Sequence, residues 1–356
     1  MANDPAPGAI AGADDLDVLA AALGAGPALA GVTRALANPW RRVVVRREGT
    51  AIAEVAVVDV EGEVGRVEVL TGHPTAALGA AVGEAASEAG CREVVGVEAP
   101  VPPPPTDLPA RFVHLAARAA TAAATAAART AGIAEVRTKA DGSPSAAADE
   151  AADRDAAVIL ADLGVPMLSE ERADAALDPT AAWLVVDPID GTGNYRAGFP
   201  PWAFAAGLVA DGRPLAGYVM DLSSGRRWSG VVGPGARRDG RPAGTRPGST
   251  LVVPTPPPGE VAVVPDGFRR IRITGCTAVD LCLVADGSAA AWHDLDRAGT
   301  HVHDVAGALG VLVAGGGVVV DPDGQDLALP PDTEGLIRFA AAADAATAEG
   351  LVAAFR

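Results

Sequence analysis

Short apolar runs separated by glycine-bearing turns fill the chain from Arg41 to Glu98. Val43 to Arg47, Ala51 to Val58 and Val64 to Leu70 read as three strands, with Glu48-Gly49 and Glu61-Gly62 as the turns between them. Ala76 to Ala89 reads as a helix stopped by Gly90, and Glu93 to Glu98 as a further strand. Ahead of them, Asp14 to Ala30 is small and alanine-rich and predicts one helix, and the first dozen residues read as disordered. The β-β-β-α-β order makes residues 1–99 a small α/β module.

The pattern then changes. Pro-Val-Pro-Pro-Pro-Pro within residues 100–106 is a stiff extended spacer and marks a domain boundary. From 107 to 356 the chain reads as one larger domain. Thr106 or Asp107 caps a long alanine-rich helix through Arg129. Asp141-Gly142 marks a hairpin or tight turn, and Ser145 is placed to cap a helix that ends at Gly164, with Asp149 in its first turn. Val165 to Leu168 is a short strand followed by Ser169-Glu170-Glu171. Trp183 to Val186 is a buried strand, and Pro188 is expected to end its pairing. Ala203 to Val209 and Leu215 to Met220 flank Asp211-Gly212 as a hairpin, and Arg227 to Val232 extends the antiparallel sheet. Further on, Ile271 to Ile273 and Val318 to Val320 are strands, with Asp321-Pro322-Asp323-Gly324 a turn after the second. Ala278 to Ala285, Val305 to Ala314 and Ala342 to Phe355 are helices.

Composition narrows the function. A net charge of −17 over 356 residues argues against nucleic acid as a partner. Cys91, Cys276 and Cys282 offer no disulfide framework and fit a reducing compartment. No apolar run has the length and continuity of a membrane span, and the N-terminus lacks a basic segment ahead of an apolar core, so a cytoplasmic protein without a membrane partner is expected. Lys139 is the sole lysine.

The chemistry centres on Asp187-Pro188-Ile189-Asp190-Gly191-Thr192-Gly193-Asn194-Tyr195. Two carboxylates leave the end of a strand, and glycines then let the backbone approach a ligand. That combination suits a hard cation held against a phosphate. An isolated Asp-x-x-Asp is usually a solvated loop, but here Gly-Thr-Gly-Asn follows at once and further acids recur along the chain.

Residues from about 107 to 356 resemble the inositol monophosphatase family of metal-dependent, lithium-sensitive phosphatases. The matching blocks run in the family's order: Lys139 to Asp149, Ser169-Glu170-Glu171, Asp187 to Tyr195, Asp211 to Pro214, Gly233 to Pro242, Gly275 to Gly287, and His303-Asp304-Val305-Ala306-Gly307 onward to Gly315-Gly316-Gly317. The resemblance implies a layered αβαβα sandwich with its site between two sheets. It assigns a first Mg2+ to Glu170, Asp187 and the Ile189 carbonyl, and a second to Asp187, Asp190 and Asp304. A third, weaker ion falls to Glu170. Thr192 and Asp149 would position and deprotonate the attacking water. The N–H groups of Gly191 and Thr192 would hold the phosphate, and Gly275, Cys276 and Asp294 fall on the substrate side. Lys139, Glu171 and His303 are secondary candidates. The partner implied is a small phosphate ester. The sequence itself gives no oligomeric state, although homodimers are usual in the family.

The departures cluster on the substrate side. Gly193 stands where the family has a second threonine, His303 where it has tryptophan, and Cys276 where it has serine or threonine. Asp294 is followed by three extra residues before Asp304, and the segment between Thr250 and Ile271 is short and proline-rich. The expected activity is therefore Mg2+-dependent hydrolysis of a polyol or sugar phosphate such as an inositol monophosphate. Histidinol phosphate, fructose 1,6-bisphosphate, 3′-phosphoadenosine 5′-phosphate or an intermediate of specialised metabolism are the alternative substrates. A non-catalytic binding or regulatory protein with a docking N-terminal module is the alternative of another kind. That module weakly resembles part of an acetyl-CoA-dependent N-acetyltransferase. Thr71-Gly72-His73-Pro74-Thr75 lacks the pyrophosphate-loop glycines of that family, so no activity is carried over.

Overall fold

The computed structural model describes residues 8–10, 19, 41–48, 51–61, 64–69, 76–88, 91, 93–97, 105–130, 137–138, 144–145, 147–172, 177–256, 259 and 261–356. They fall into two units, within 1–105 and 106–356. Thr71 to Thr75, Lys139, Asp141-Gly142 and most of Asp14 to Ala30 and of the proline spacer lie outside the described residues.

In the first unit, β1 (Gly8–Ile10), β2 (Arg41–Glu48), β3 (Ala51–Glu61), β4 (Val64–Val69) and β5 (Glu93–Val95) form one sheet in chain order. All neighbours are antiparallel except β4 and β5. That parallel step needs a crossover, which α1 (Ala76–Glu88) supplies. Leu78, Ala81, Val82 and Ala85 of α1 pack on Val44, Ala56 and Val58. The expectation that the first dozen residues are disordered fails at Gly8–Ile10, which pair with Val44 to Arg46. Backbone pairing asks little of side-chain hydrophobicity, so a three-residue edge strand leaves no compositional mark.

The second unit opens with α2 (Leu108–Thr130), capped as expected by Asp107, whose Oδ2 accepts the Ala110 N–H at 3.1 Å. Its inward stripe is Phe112, Leu115, Ala116, Ala119, Ala120, Ala123 and Ala127, small enough for close contact with both a helix and a sheet. A two-stranded ribbon, β6 (Arg137–Thr138) and β7 (Pro144–Ser145), leads to α3 (Ala147–Leu160). Ser145 thus pairs in the ribbon, and the helix begins one residue later than the cap reading required. A 3-10 turn over Ala161–Leu163 closes on Gly164 in the left-handed conformation.

Next come β8 (Met167–Ser169), β9 (Ala182–Asp190), the short helix α4 (Thr192–Ala197), β10 (Ala203–Ala210), β11 (Arg213–Asp221), β12 (Arg227–Val231), β13 (Gly235–Arg238) and β14 (Arg241–Ala243). The strands form one sheet in which only β8 and β9 are parallel. Asp211 and Gly212 both have positive φ in the two-residue β10–β11 turn, as a type I′ hairpin needs. Pro188 does not end β9. The strand runs on to Asp190, with a register shift where Asp187 faces Ala205 and Asp190 faces Ala203. On the other side, β8 pairs no further than Val186. Proline is tolerated because it falls in a bulge beyond the reach of the second neighbour.

The chain continues through β15 (Thr250–Val252), β16 (Arg270–Arg272), α5 (Thr277–Ala285), β17 (Ala291–His293), β18 (Thr300–His301), α6 (Val302–Ala314), β19 (Val318–Val320), β20 (Leu336–Ile337), β21 (Ala340–Ala342) and α7 (Ala345–Ala354). The second large sheet has the order β16-β15-β17-β21-β19. Helices α2 and α3 cover one face of the first sheet, α5 and α6 lie between the sheets, and α7 packs on the second. This is the layered αβαβα sandwich. Two helix limits shift from expectation. Ala340–Ala342 is a strand between β17 and β19, so the last helix starts after Asp344, whose Oδ1 accepts the Thr347 N–H at 2.8 Å. Helix α6 starts at Val302, which puts His303 and Asp304 inside its first turn.

Helix α6 meets the first sheet backbone to backbone. A Cβ on Gly310 would stand 2.5 Å from the Ala216 carbonyl, and one on Gly207 would stand 2.8 Å from the Ala306 carbonyl carbon. Gly217 and Gly307 are as tightly placed. These glycines seat the helix that carries Asp304.

His293, 1% exposed and packed at a tilt against Phe355 with 4.5 Å between ring centres, has its pKa lowered to about 4, first by burial. The unfolded state, with an ordinary value near 6.5, takes the proton first, so this residue's contribution is full above pH 6.5 and fades towards pH 4. Neighbouring Asp294, raised to about 6 mainly by burial, acts in the opposite sense between its ordinary 3.8 and 6. Subtracting wild type from His293→Gln isolates the histidine. The variant should gain about 3 kcal/mol relative to wild type between pH 7 and pH 4 in urea melts. A pH-independent difference would show that the histidine is not buried neutral.

Candidate active site

Strand β9 delivers the first two acids. Asp187 Oδ1 accepts the Ile189 N–H at 2.9 Å, which folds the carboxylate back over the bulge. Asp190 ends the strand, and Gly191 follows with φ of 83°, turning the chain into α4. A side chain at Gly191 would crowd the Gly275 and Pro201 carbonyls and the Cys276 Cβ, each 3.3 Å from an added Cβ. Asn194 braces the turn by donating to the Pro201 and Thr274 carbonyls, both at 2.9 Å. Thr192 Oγ1 donates to the Ile189 carbonyl at 3.1 Å.

The third acid, Asp304, arrives from the first turn of α6. One ligand atom from each of Asp187, Asp190 and Asp304 lies within 4.8 Å of the other two. Asp190 and Asp304 are both pushed upward in pKa, first by burial. For Asp190, at about 8, the next cause is the charge of Asp304. Glu170 adds to the repulsion on both. It follows β8, where Asp153 accepts from Ser169 Oγ at 2.6 Å and pairs with Arg172 at 2.7 Å, pinning the turn that carries Glu170. So much negative charge in a buried space calls for cations, and an all-oxygen donor set suits hard ones. The residues therefore fit the divalent ions that the sequence implies.

Asp149 is fully buried in the first turn of α3. Its charge raises the pKa of Tyr195, after burial as the first cause, which places it close to the helix that Thr192 begins. The Tyr195 hydroxyl donates to the Ala127 carbonyl at 3.0 Å and ties α4 to α2.

Two assignments change. Cys276 is 1% exposed and bonds Asp190, with 3.0 Å between Sγ and Oδ2, so it serves a carboxylate of the site instead of lining a sugar pocket. Asp294 is fully buried, and its oxygens accept from the Thr300 hydroxyl at 2.7 Å and the Phe339 N–H at 2.8 Å, an anchoring role instead of a substrate contact. Glu170 and Glu171 both lie outside the carboxylate triad, and Glu171 is buried with its N–H donated to Ser169 Oγ at 3.3 Å. Gly275 keeps its place beside the Asn194 amide, with φ of 80°. His303 stacks on His301 with 5.0 Å between ring centres, and its Nε2 lies 3.6 Å from Asp304 Oδ1, so it packs as an aromatic while touching the acid. The Asp153–Ser169–Arg172 clamp and the thiol bond were not read from sequence. Helix α5 starting directly after Cys276 was the available signal for the second, because a helix start needs a cap.

Asp187, Asp190 and Asp304 thus form a three-carboxylate cluster inside an αβαβα sandwich, at a strand end and a helix start, that could hold a cation. A profile of the Inositol monophosphatase family matches residues 109–356. The chain belongs to the inositol monophosphatase family. It is 34% identical over 178 residues to the inositol-1-monophosphatase ImpA of Mycolicibacterium smegmatis, covering 45% of this chain and 63% of that protein. It is 30% identical over 179 residues to a fructose-1,6-bisphosphatase/inositol-1-monophosphatase of Thermococcus kodakarensis, covering 47% and 65%. The matches thus span just under two thirds of either relative. Among solved structures, the inositol monophosphatase of Anabaena (Nostoc) sp. PCC 7120 superposes with a TM-score of 0.54 at 23% identity, covering 67% of this chain and 94% of that one. The extragenic suppressor protein suhB of Bartonella henselae gives 0.56 at 20% identity, covering 69% and 98%. At these identities the two structures speak to fold alone. Among the described residues no helix is long and apolar enough to cross a membrane.

Proposed function

We propose that the protein is a Mg2+-dependent phosphomonoesterase acting on a small polyol or sugar phosphate. The observation that carries this reading is the convergence of Asp187, Asp190 and Asp304, from a strand end and a separate helix, within 4.8 Å of one another. Asp187, Asp190 and Asp304 would hold one ion, and Glu170, Asp187 and the Ile189 carbonyl another. Bound divalent ions supply positive charge that admits a phosphate to an acidic pocket and make water a better nucleophile.

The rest falls to the chain. Thr192, held by its bond to the Ile189 carbonyl, orients the attacking water at its hydroxyl. Asp149, buried near α4, receives the proton that leaves that water. The N–H groups of Gly191 and Thr192 hold a phosphate oxygen at the glycine turn. The carboxylates turned inward keep a free anion out until their charge is balanced, which favours positioning over covalent chemistry. Relatives named for both inositol monophosphate and fructose 1,6-bisphosphate hydrolysis support a sugar or polyol ester as substrate.

The test is release of inorganic phosphate from myo-inositol 1-phosphate, fructose 1,6-bisphosphate and a panel of metabolite esters, with Mg2+ and with chelator. Metal-dependent turnover is expected on at least one of them. Thr192→Ala should then lower kcat by about a hundredfold or more with KM little changed. Silence across the panel, together with no binding of Mn2+, would leave the docking-protein alternative standing.

A further inference from the structure

We propose that Cys276 is a positioning residue whose thiol fixes which oxygen of Asp190 is turned towards the cation. The inference rests on the metal-dependent reading above and deepens it.

Asp190 Oδ2 takes two donors from the start of α5, the Cys276 thiol at 3.0 Å and the Ala278 N–H at 2.7 Å. Cys276 occupies the cap position of α5, yet its side chain makes no capping bond to its own helix. The cap comes instead from a strand of the other layer, through Asp190. Two donors on a single oxygen orient the carboxylate plane and present Oδ1 as the outward ligand.

The thiol is itself held in place. An added Cβ at Gly191 would stand 3.3 Å from the Cys276 Cβ, so the turn after Asp190 leaves little room for Cys276 to shift. On its other side, the Asn194 amide lies 3.1 Å from where a Cβ of Gly275 would be, and its nitrogen grips the Thr274 carbonyl. Thr274 Oγ1 accepts the Cys276 N–H at 3.2 Å. A cysteine that only filled space would need none of these constraints. A serine hydroxyl would carry a donor in the same place, and the thiol supplies that donor here.

The test uses the full chain stripped of metal and titrated with Mn2+ alone, followed by calorimetry and electron paramagnetic resonance. Cys276→Ala should bind Mn2+ about five- to tenfold more weakly, and Cys276→Ser within about twofold of wild type, as loss and retention of one donor to a charged acceptor predict. Equal binding by wild type and Cys276→Ala would overturn the role, as would equal weakening in both folded variants. Wild type failing to take up Mn2+ would sink the metal reading and this inference together, whereas an unaffected alanine variant sinks the inference alone. The infrared S–H stretch of Cys276, identified as the band lost in Cys276→Ser, gives an independent readout that decides the matter even if Cys276→Ala does not fold. It should shift in Asp190→Asn, and a band that stays put would also overturn the inference.

Discussion

Asp190→Asn is expected to lower Mg2+-dependent phosphate release by about a hundredfold or more, while raising the melting temperature of the metal-free protein by about 3 °C or more at pH 8. Both effects follow from one carboxylate. Asp190 is buried against Asp304 and Glu170, and its pKa is driven up to about 8 by burial first and Asp304 second. A carboxyl raised in the folded state stabilises it fully at low pH and loses that contribution as pH rises from 3.8 towards 8. The metal-free protein therefore carries its largest penalty under mildly alkaline conditions, where asparagine removes the charge. Asparagine keeps a carbonyl oxygen for the Ala278 N–H, so the start of α5 stays capped. Calorimetric scans with chelator between pH 5 and 8 should show the variant's advantage growing with pH. Lost activity without any gain in metal-free stability would mean that the three acids do not share one pocket.

The second large effect lies away from the chemistry. Gly310→Ala should destabilise the second unit by about 3 kcal/mol or more, a fall in melting temperature of about 6 °C or more, and should weaken Mn2+ binding as well. Propensity alone favours alanine over glycine inside a helix by about 1 kcal/mol. Here the added methyl would sit 2.5 Å from the Ala216 carbonyl and 2.6 Å from the Gly217 nitrogen, and neither backbone atom can rotate away. Relief requires α6 to lift, and Asp304 rides on its first turn. Gly350 in α7 is the control, because an added Cβ there meets nothing within 4 Å. Gly350→Ala should hold or raise the melting temperature. If both alanines behave alike, the helix–sheet contact is looser than described.

Much of this was legible in the residues. The run from Trp183 to Asn194 showed a strand, a turn and two acids, because local chain geometry is set by local residue type. The carboxylates of the triad were also readable, although only the fold brings Asp304 to Asp187 and Asp190 across more than a hundred residues. Less was readable where distant packing decides. Ala340–Ala342 has the composition of a helix, yet it is the strand between β17 and β19, where small side chains suit a sheet covered on both faces. Pro188 looked like a terminator, and whether it ends a strand depends on how far the neighbouring strand reaches. Cys276 and Asp294 looked like substrate contacts, and only their hydrogen-bond partners reveal that one serves Asp190 and the other anchors the chain.

The glycine contact between α6 and the first sheet carries a consequence for redesign. Where two main chains touch there is no side chain left to exchange, so that contact cannot be redesigned one residue at a time. A graft from a homologue must therefore transfer α6 with β10, β11 and β12 as a single cassette.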